Sequence, residues 1–171
     1  KKTAPGAPIT AALIVKDGTV RVGTLTVDGT PTFTVQWEHK IATQSEGCVF
    51  DGDTLYVGEE VGGLWELKQD GTGAAARLVA PIDNQRLVAD LEGLATIDHK
   101  GQRYLIASSQ GDNAYAVFRL PGVEYVGRFA VAAGAFGATS ETDGIEAIAG
   151  NFGAAYPDGI FLAQDGDNAP K

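Results

Sequence analysis

The sequence predicts an all-β fold, and three observations carry that prediction. First, short apolar runs of five to nine residues alternate with Gly, Asp and Asn along most of the chain. Second, no window of a dozen residues sustains the 3.6-residue period of a long helix. Third, the 171 residues include 23 Gly, many Val, Thr and Tyr, and no Met, a composition that leans toward strands and tight turns.

The strand-like runs, in order, are AALIV (11–15), TVRVGTLTV (19–27), TFTVQWEH (32–39), TLYVGEE (54–60), GLWELK (63–68), RYLIASS (103–109), AYAVFRL (114–120), EYVGRFAV (124–131) and GIFLAQ (159–164). GLWELK shows the alternation: Leu64, Glu66 and Lys68 point one way, Trp65 and Leu67 the other. Between the runs lie KDG (16–18), DGD (51–53), QDG (69–71) and HKG (99–101), each offering a Gly where a turn can need positive φ. Residues 1–9, with two prolines, read as a leader, and 10–171 as a single partial domain.

An internal repeat narrows the architecture. EGCVFDGDTLYVGEE (46–60), EGLATIDHKGQRYLIASSQG (92–111) and DGIEAIAGNFGAAYPDGIFLAQDG (143–166) each open with an acid and a Gly, and then run strand, turn, strand. Each ends on Glu, Gln or Asp. The acids Glu46, Glu92 and Asp143 recur at spacings of 46 and 51 residues, and propeller blades of four antiparallel strands repeat every 40–50 residues or so. A single blade cannot bury both its faces and needs neighbours. In this register 10–43, 44–80 and 90–131 are blades, and 143–167 is the inner part of a fourth. Either the ring is incomplete or another chain completes it.

The formal charge of −9, from 22 acidic and 13 basic residues, excludes the basic face that nucleic-acid binding needs. It suits a protein that holds hard cations through carboxylates. Cys48 is a lone cysteine, so no internal disulfide or cysteine-pair metal site forms. No run of about 18 apolar residues offers a membrane-spanning helix. The chain opens on Lys1 rather than Met, as a processed or trimmed chain does.

In a propeller, equivalent positions converge on the central channel, so Glu46, Asp90, Glu92 and Asp143 are expected to face one another. Alternation about Leu91 sends Asp90 and Glu92 to the same side. Glu59, Glu60, Gln110, Gln164 and Asp165 lie at the ends of the second strands. Carboxylates converging without Lys or Arg partners repel one another. A divalent cation relieves that repulsion, and an all-oxygen ligand set favours calcium or magnesium over zinc.

The stretches SEGCVFDGDTLYVGEE (45–60), DLEGLATI (90–97), YLIASSQGDNAYAVF (104–118), TDGIEAI (142–148) and GIFLAQDGDN (159–168) resemble, in the same order, those of the β-propeller phytases. That resemblance covers roughly 40–168. It implies about three and a half blades, the C-terminal half of a six-bladed ring, and calcium-dependent hydrolysis of phosphomonoesters of phytate or other inositol phosphates. It assigns Glu46, Glu60, Asp90, Glu92 and Asp143 to catalysis and Gln110 to substrate binding. Calcium ligation falls to Glu46, Asp90, Glu92, Asp143, Asp165 and Asp167. Secretion or a periplasmic location is also implied. Residues 1–39 match only loosely and show no counterpart of the family's acid-rich motif or of its phosphate-gripping Lys, Arg and Tyr. The alternative is a non-catalytic calcium-binding propeller segment or an interaction scaffold, and the open sheet edges predict self-association.

Other residues are expected to be structural. His39 and His99 have no partner at metal-ligand spacing, and Cys48 reads as a buried thiol. Trp37, Trp65, Tyr104 and Phe118 read as packing between blades. Ser108-Ser109 lacks a nearby base. GTGAAAR (71–77) lacks the Lys-Ser or Lys-Thr end of a phosphate loop.

Overall fold

The computed structural model describes residues 8–69, 74–135 and 137–167. The fold is all-β, and among the described residues the helical structure is a single 3₁₀ turn at Gln110–Asp112. Among the described residues, thirteen strands form four antiparallel sheets, each a meander of sequence neighbours. The first holds β1 (Ile9–Ile14), β2 (Thr19–Thr26) and β3 (Thr32–Lys40). The second holds β4 (Ser45–Asp51), β5 (Thr54–Glu59), β6 (Gly63–Gln69) and β7 (Ala74–Pro81). In the third are β8 (Leu91–His99), β9 (Gln102–Ser109), β10 (Ala114–Arg119) and β11 (Glu124–Phe129). The fourth pairs β12 (Ile145–Ala149) with β13 (Gly159–Ala163). Sheets of this kind, in this order, are consistent with propeller blades, and the blade limits follow the repeat.

Among the described residues, hairpins close at KDG, DGD and HKG, while Asp70 and Gly71 of QDG lie outside the described residues. Gly18 has φ +87° and Gly52 φ +56°, and the Asp17 carboxylate accepts a hydrogen bond from Thr19 N at 2.9 Å. Strand β1 opens at Ile9, one residue inside the expected leader, whose residues 1–7 lie outside the described part of the chain. Strand β7 falls on AAARLVAP, a segment without clear alternation. Its pairing on β6 makes it a strand, so 74–77 of GTGAAAR are strand, while 71–73 lie outside the described residues.

Alternation explains why each sheet needs two neighbours. On β5, Leu55 and Val57 turn toward the first sheet and pack with Val20, Val22 and Ile41. Tyr56 between them turns the other way, to Leu91, Leu94 and Leu105. Strand β9 repeats the device: Leu105 and Ala107 face the second sheet, and Ile106 faces Ala147 and the fourth. Burying a side chain of this size contributes about 1.5–3 kcal/mol, so the apolar layers between sheets hold them in order. Phe118 is fully buried in one such layer, and Trp37 and Trp65 pack against another. Cys48 is partly buried, and burial pushes its thiol pKa upward.

Candidate functional site

The inner strands β4, β8 and β12 lie side by side, and each has an acid-Gly pair at or just before its start. Glycine is required there by the closeness of the backbones. A Cβ on Gly47 would sit 1.9 Å from the carbonyl oxygen of Glu92, and one on Gly93 would sit 2.4 Å from that of Asp143. The same register that brings the strands together therefore brings their acids to one place.

Glu46, Glu60 and Glu92 each offer a carboxylate oxygen, and these oxygens all lie within 4.8 Å of one another. The backbone of Glu60 ties the group together. Its N–H donates to Gln44 O at 3.0 Å, and its carbonyl accepts from Leu91 N at 3.0 Å. The Gln44 amide nitrogen donates to Glu46 Oε1 at 2.8 Å and also to Glu60 Oε1. Lys16 Nζ lies 2.6 Å from Glu46 Oε1.

Glu92 is only 6% exposed, and no basic side chain among the described residues forms an ion pair with it. Burial pushes its pKa up to about 7, helped by the negative charges of Glu46, Glu60, Asp143 and Asp90. Burial likewise raises Glu60, against the Gln44 bond that opposes the rise. Glu46 moves the other way, because the hydrogen bond from Lys16 favours its charged form.

Asp90 immediately precedes β8, and its carbonyl accepts from Gln110 N at 2.9 Å. Gln110 Nε2 in turn donates to Asp143 Oδ1 at 2.7 Å, and Asp143 N donates to Gln164 Oε1 at 2.9 Å. Beside this chain of bonds is an open depression of about 450 Å³ lined by Gln110, Asn113, Glu141, Asp143 and Gln164. Asp165 is placed differently: its Oδ1 accepts from Ser140 N at 3.0 Å and Ser140 Oγ at 3.2 Å. Asp167 is exposed, and neither it nor Asp165 belongs to the three-carboxylate group. Glu59 turns away from the group, as alternation beside Glu60 requires. It is buried and accepts from Thr43 N (2.9 Å), Thr43 Oγ1 (2.6 Å) and Trp65 Nε1 (2.8 Å).

Two residues of the site were not expected from the sequence. Gln44 stands two before Glu46, the spacing that puts two side chains on one face of a strand, so parity could have found it. Lys16 corrects the expectation that the converging acids have no basic partner. It lies in the turn after β1, and only the neighbouring of β1 and β4 carries it to Glu46.

The family model described as Phytase matches residues 16–171. The chain belongs to the phytase family. It is also 41% identical over 138 residues to a 3-phytase of Bacillus subtilis (strain 168), covering 77% of this chain and 36% of that protein. The chain thus spans about a third of the length of this curated phytase. The phytase match starts at Lys16, well before the stretch from about 40 on which the sequence resemblance rested.

Proposed function

We propose that the chain carries a calcium-dependent phosphomonoesterase site that acts on phytate (myo-inositol hexakisphosphate) and related inositol phosphates. The observation that carries this reading is the convergence of Glu46, Glu60 and Glu92 within 4.8 Å in a member of the phytase family. The donor set fits a hard divalent cation: it is all oxygen, and its three carboxylates lie close enough to share one ion. Glu46, Glu60 and Glu92 would hold the ion, with Asp90 and Asp143 adding negative charge around it. When bound, calcium would neutralise these carboxylates and stabilise negative charge on a phosphate. Asp165 and Asp167 are proposed ligands of a separate, structural ion.

The chain's own groups supply the remainder. Lys16, on its flexible stem, binds a phosphate oxygen as a point charge. Gln110, anchored on Asp143, donates to a neighbouring phosphate or hydroxyl at the depression. A carboxylate oxygen at the site that the ion leaves free, with Asp90 or Asp143 the nearest candidates outside the three-carboxylate group, would take the proton of the attacking water. Positioning and charge stabilisation then account for most of the rate. A secreted or periplasmic setting suits a calcium site of this kind.

The proposal is tested by phosphate release from phytate with millimolar calcium and again with chelator. Release with calcium and none with chelator is the expected result, and equal release in both would overturn it. A second reading has an observation of its own. Leu13 (48% exposed) and Val35 (47%) on the first sheet, and Ile148 (40%) and Leu162 (53%) on the fourth, are apolar residues left bare. On this reading the chain is a calcium-binding segment that self-associates through these faces, and it binds calcium without turnover when monomeric.

A further inference from the structure

We infer that Lys16 is a built-in counter-ion that a divalent cation displaces from Glu46, so that loading the cluster turns the ammonium out toward an anionic ligand. The inference rests on the reading above that the cluster binds such a cation, and it adds what the chain itself must give up for binding to occur.

One carboxylate carries the argument. Glu46 contributes an oxygen to the group that converges within 4.8 Å, and its Oε1 already accepts from Lys16 Nζ at 2.6 Å and from Gln44 Nε2 at 2.8 Å. A cation approaching that group meets two N–H donors where it needs a bare carboxylate. The ammonium cannot share the space, since it and the ion repel at contact distance. It can leave easily: the Lys16 side chain is 75% exposed, and its partner's is 28% exposed. Exposed lysine pairs of this kind are weak, and the four-carbon stem allows the head to swing without moving the backbone.

The second observation is the asymmetry of the cluster. Lys16 and Gln44 bond Glu46 and Glu60, while no basic side chain among the described residues forms an ion pair with Glu92, which is 6% exposed. The internal cation therefore covers the outer part of the site and leaves its buried end for an ion that penetrates further. Binding of the ion and release of Lys16 are reciprocal: whatever weakens the Lys16–Glu46 pair strengthens the ion by the same factor.

Calorimetric titration of the whole chain with calcium alone, at fixed pH and ionic strength, tests this. Lys16→Met is expected to raise calcium affinity about fivefold, the coupling expected of a pair of this strength, and Lys16→Arg to stay near wild type. Lys40→Met is the control, since Lys40 is held by Asp17 at 2.9 Å rather than by the cluster; its calcium affinity should change less than twofold. A second readout follows the ¹³C-methylated lysine signal that is missing in Lys16→Arg. That signal is expected to move during the calcium titration with the calorimetric midpoint. Unchanged or weaker binding by Lys16→Met, an equal gain in Lys40→Met, or a Lys16 signal that stays still would each overturn the inference and leave the metal reading standing. A wild-type chain that binds no calcium would overturn both.

Discussion

Gly47 lies directly against Glu92: a Cβ added to the glycine would be 1.9 Å from the glutamate's carbonyl oxygen. Gly93 stands in the same relation to Asp143 at 2.4 Å. Both partners are backbone atoms, so neither can yield by a rotamer change. Gly47→Ala and Gly93→Ala are expected to destabilise the chain by roughly 2–4 kcal/mol through forced separation of the inner strands. Gly144, whose added Cβ would meet no described atom within 4 Å, supplies the comparison. Urea unfolding should show Gly144→Ala near wild type, and a similar loss in all three would remove the special role of the first two contacts.

The pH dependence of the metal-free chain follows from Glu92. Its folded pKa of about 7 lies above the ordinary 4.5, so the folded chain holds more protons than the unfolded chain between those values. Stability therefore falls as pH rises through that window, by roughly 3 kcal/mol for a shift of this size. Glu60, also raised, acts in the same sense. Asp17 and Asp83 are lowered, and their contributions are lost only at more acid pH. Thermal melts in chelator should give a higher Tm at pH 5.5 than at pH 8, and calcium should reverse the order.

Charge removal separates ligand from scaffold. Glu92→Gln is expected to raise the metal-free Tm at pH 8, because it deletes a charge that burial and the neighbouring carboxylates disfavour. The same change should weaken calcium binding at least tenfold and reduce phosphate release from phytate by a hundredfold or more. A variant that is stabilised yet binds calcium as before would show that Glu92 is not a ligand.

Glu59 gives the opposite pattern. Its three donors at 2.6–2.9 Å all need an acceptor, and an amide nitrogen in Glu59→Gln leaves one unmatched. The expected loss is about 1–3 kcal/mol, with calcium affinity within a few-fold of wild type by calorimetry. Stability and affinity thus move separately at positions 59 and 92.

The bare apolar faces predict concentration-dependent association. Sedimentation velocity should show species larger than a monomer at tens of micromolar, reduced by Leu162→Lys and Leu13→Lys. A clean monomer over the whole range would discard the self-association reading.

Much of the fold was legible because acid-Gly pairs, turn glycines and two-residue alternation are local signals with one physical meaning each. Glu46 and Glu92 could be placed together from their repeat alone, since equal positions in successive blades must converge. Glu60 was read only as lying, with Glu59, at the end of a second strand, and the family resemblance gave it its site role. Lys16 did not, because its partner lies 30 residues away across a boundary between sheets, and no local pattern records which sheets are neighbours. Strand β7 was missed for a related reason: AAARLVAP is extended because β6 offers it a ladder of hydrogen bonds, not because its own side chains favour that state. The role of Asp165 in holding Ser140 is likewise set by a loop contact rather than by the repeat.

The glycine contacts between inner strands have one more consequence. They make the width of the carboxylate cage a main-chain dimension. Side chains at Glu46 and Glu92 can swivel, but their points of attachment stay as far apart as a Cα resting on a carbonyl oxygen allows. On the calcium reading, the size of ion that the cage would accept is inherited from strand packing. Retuning it toward a smaller or larger cation would call for changes at Gly47 and Gly93, the residues that carry no ligand atom.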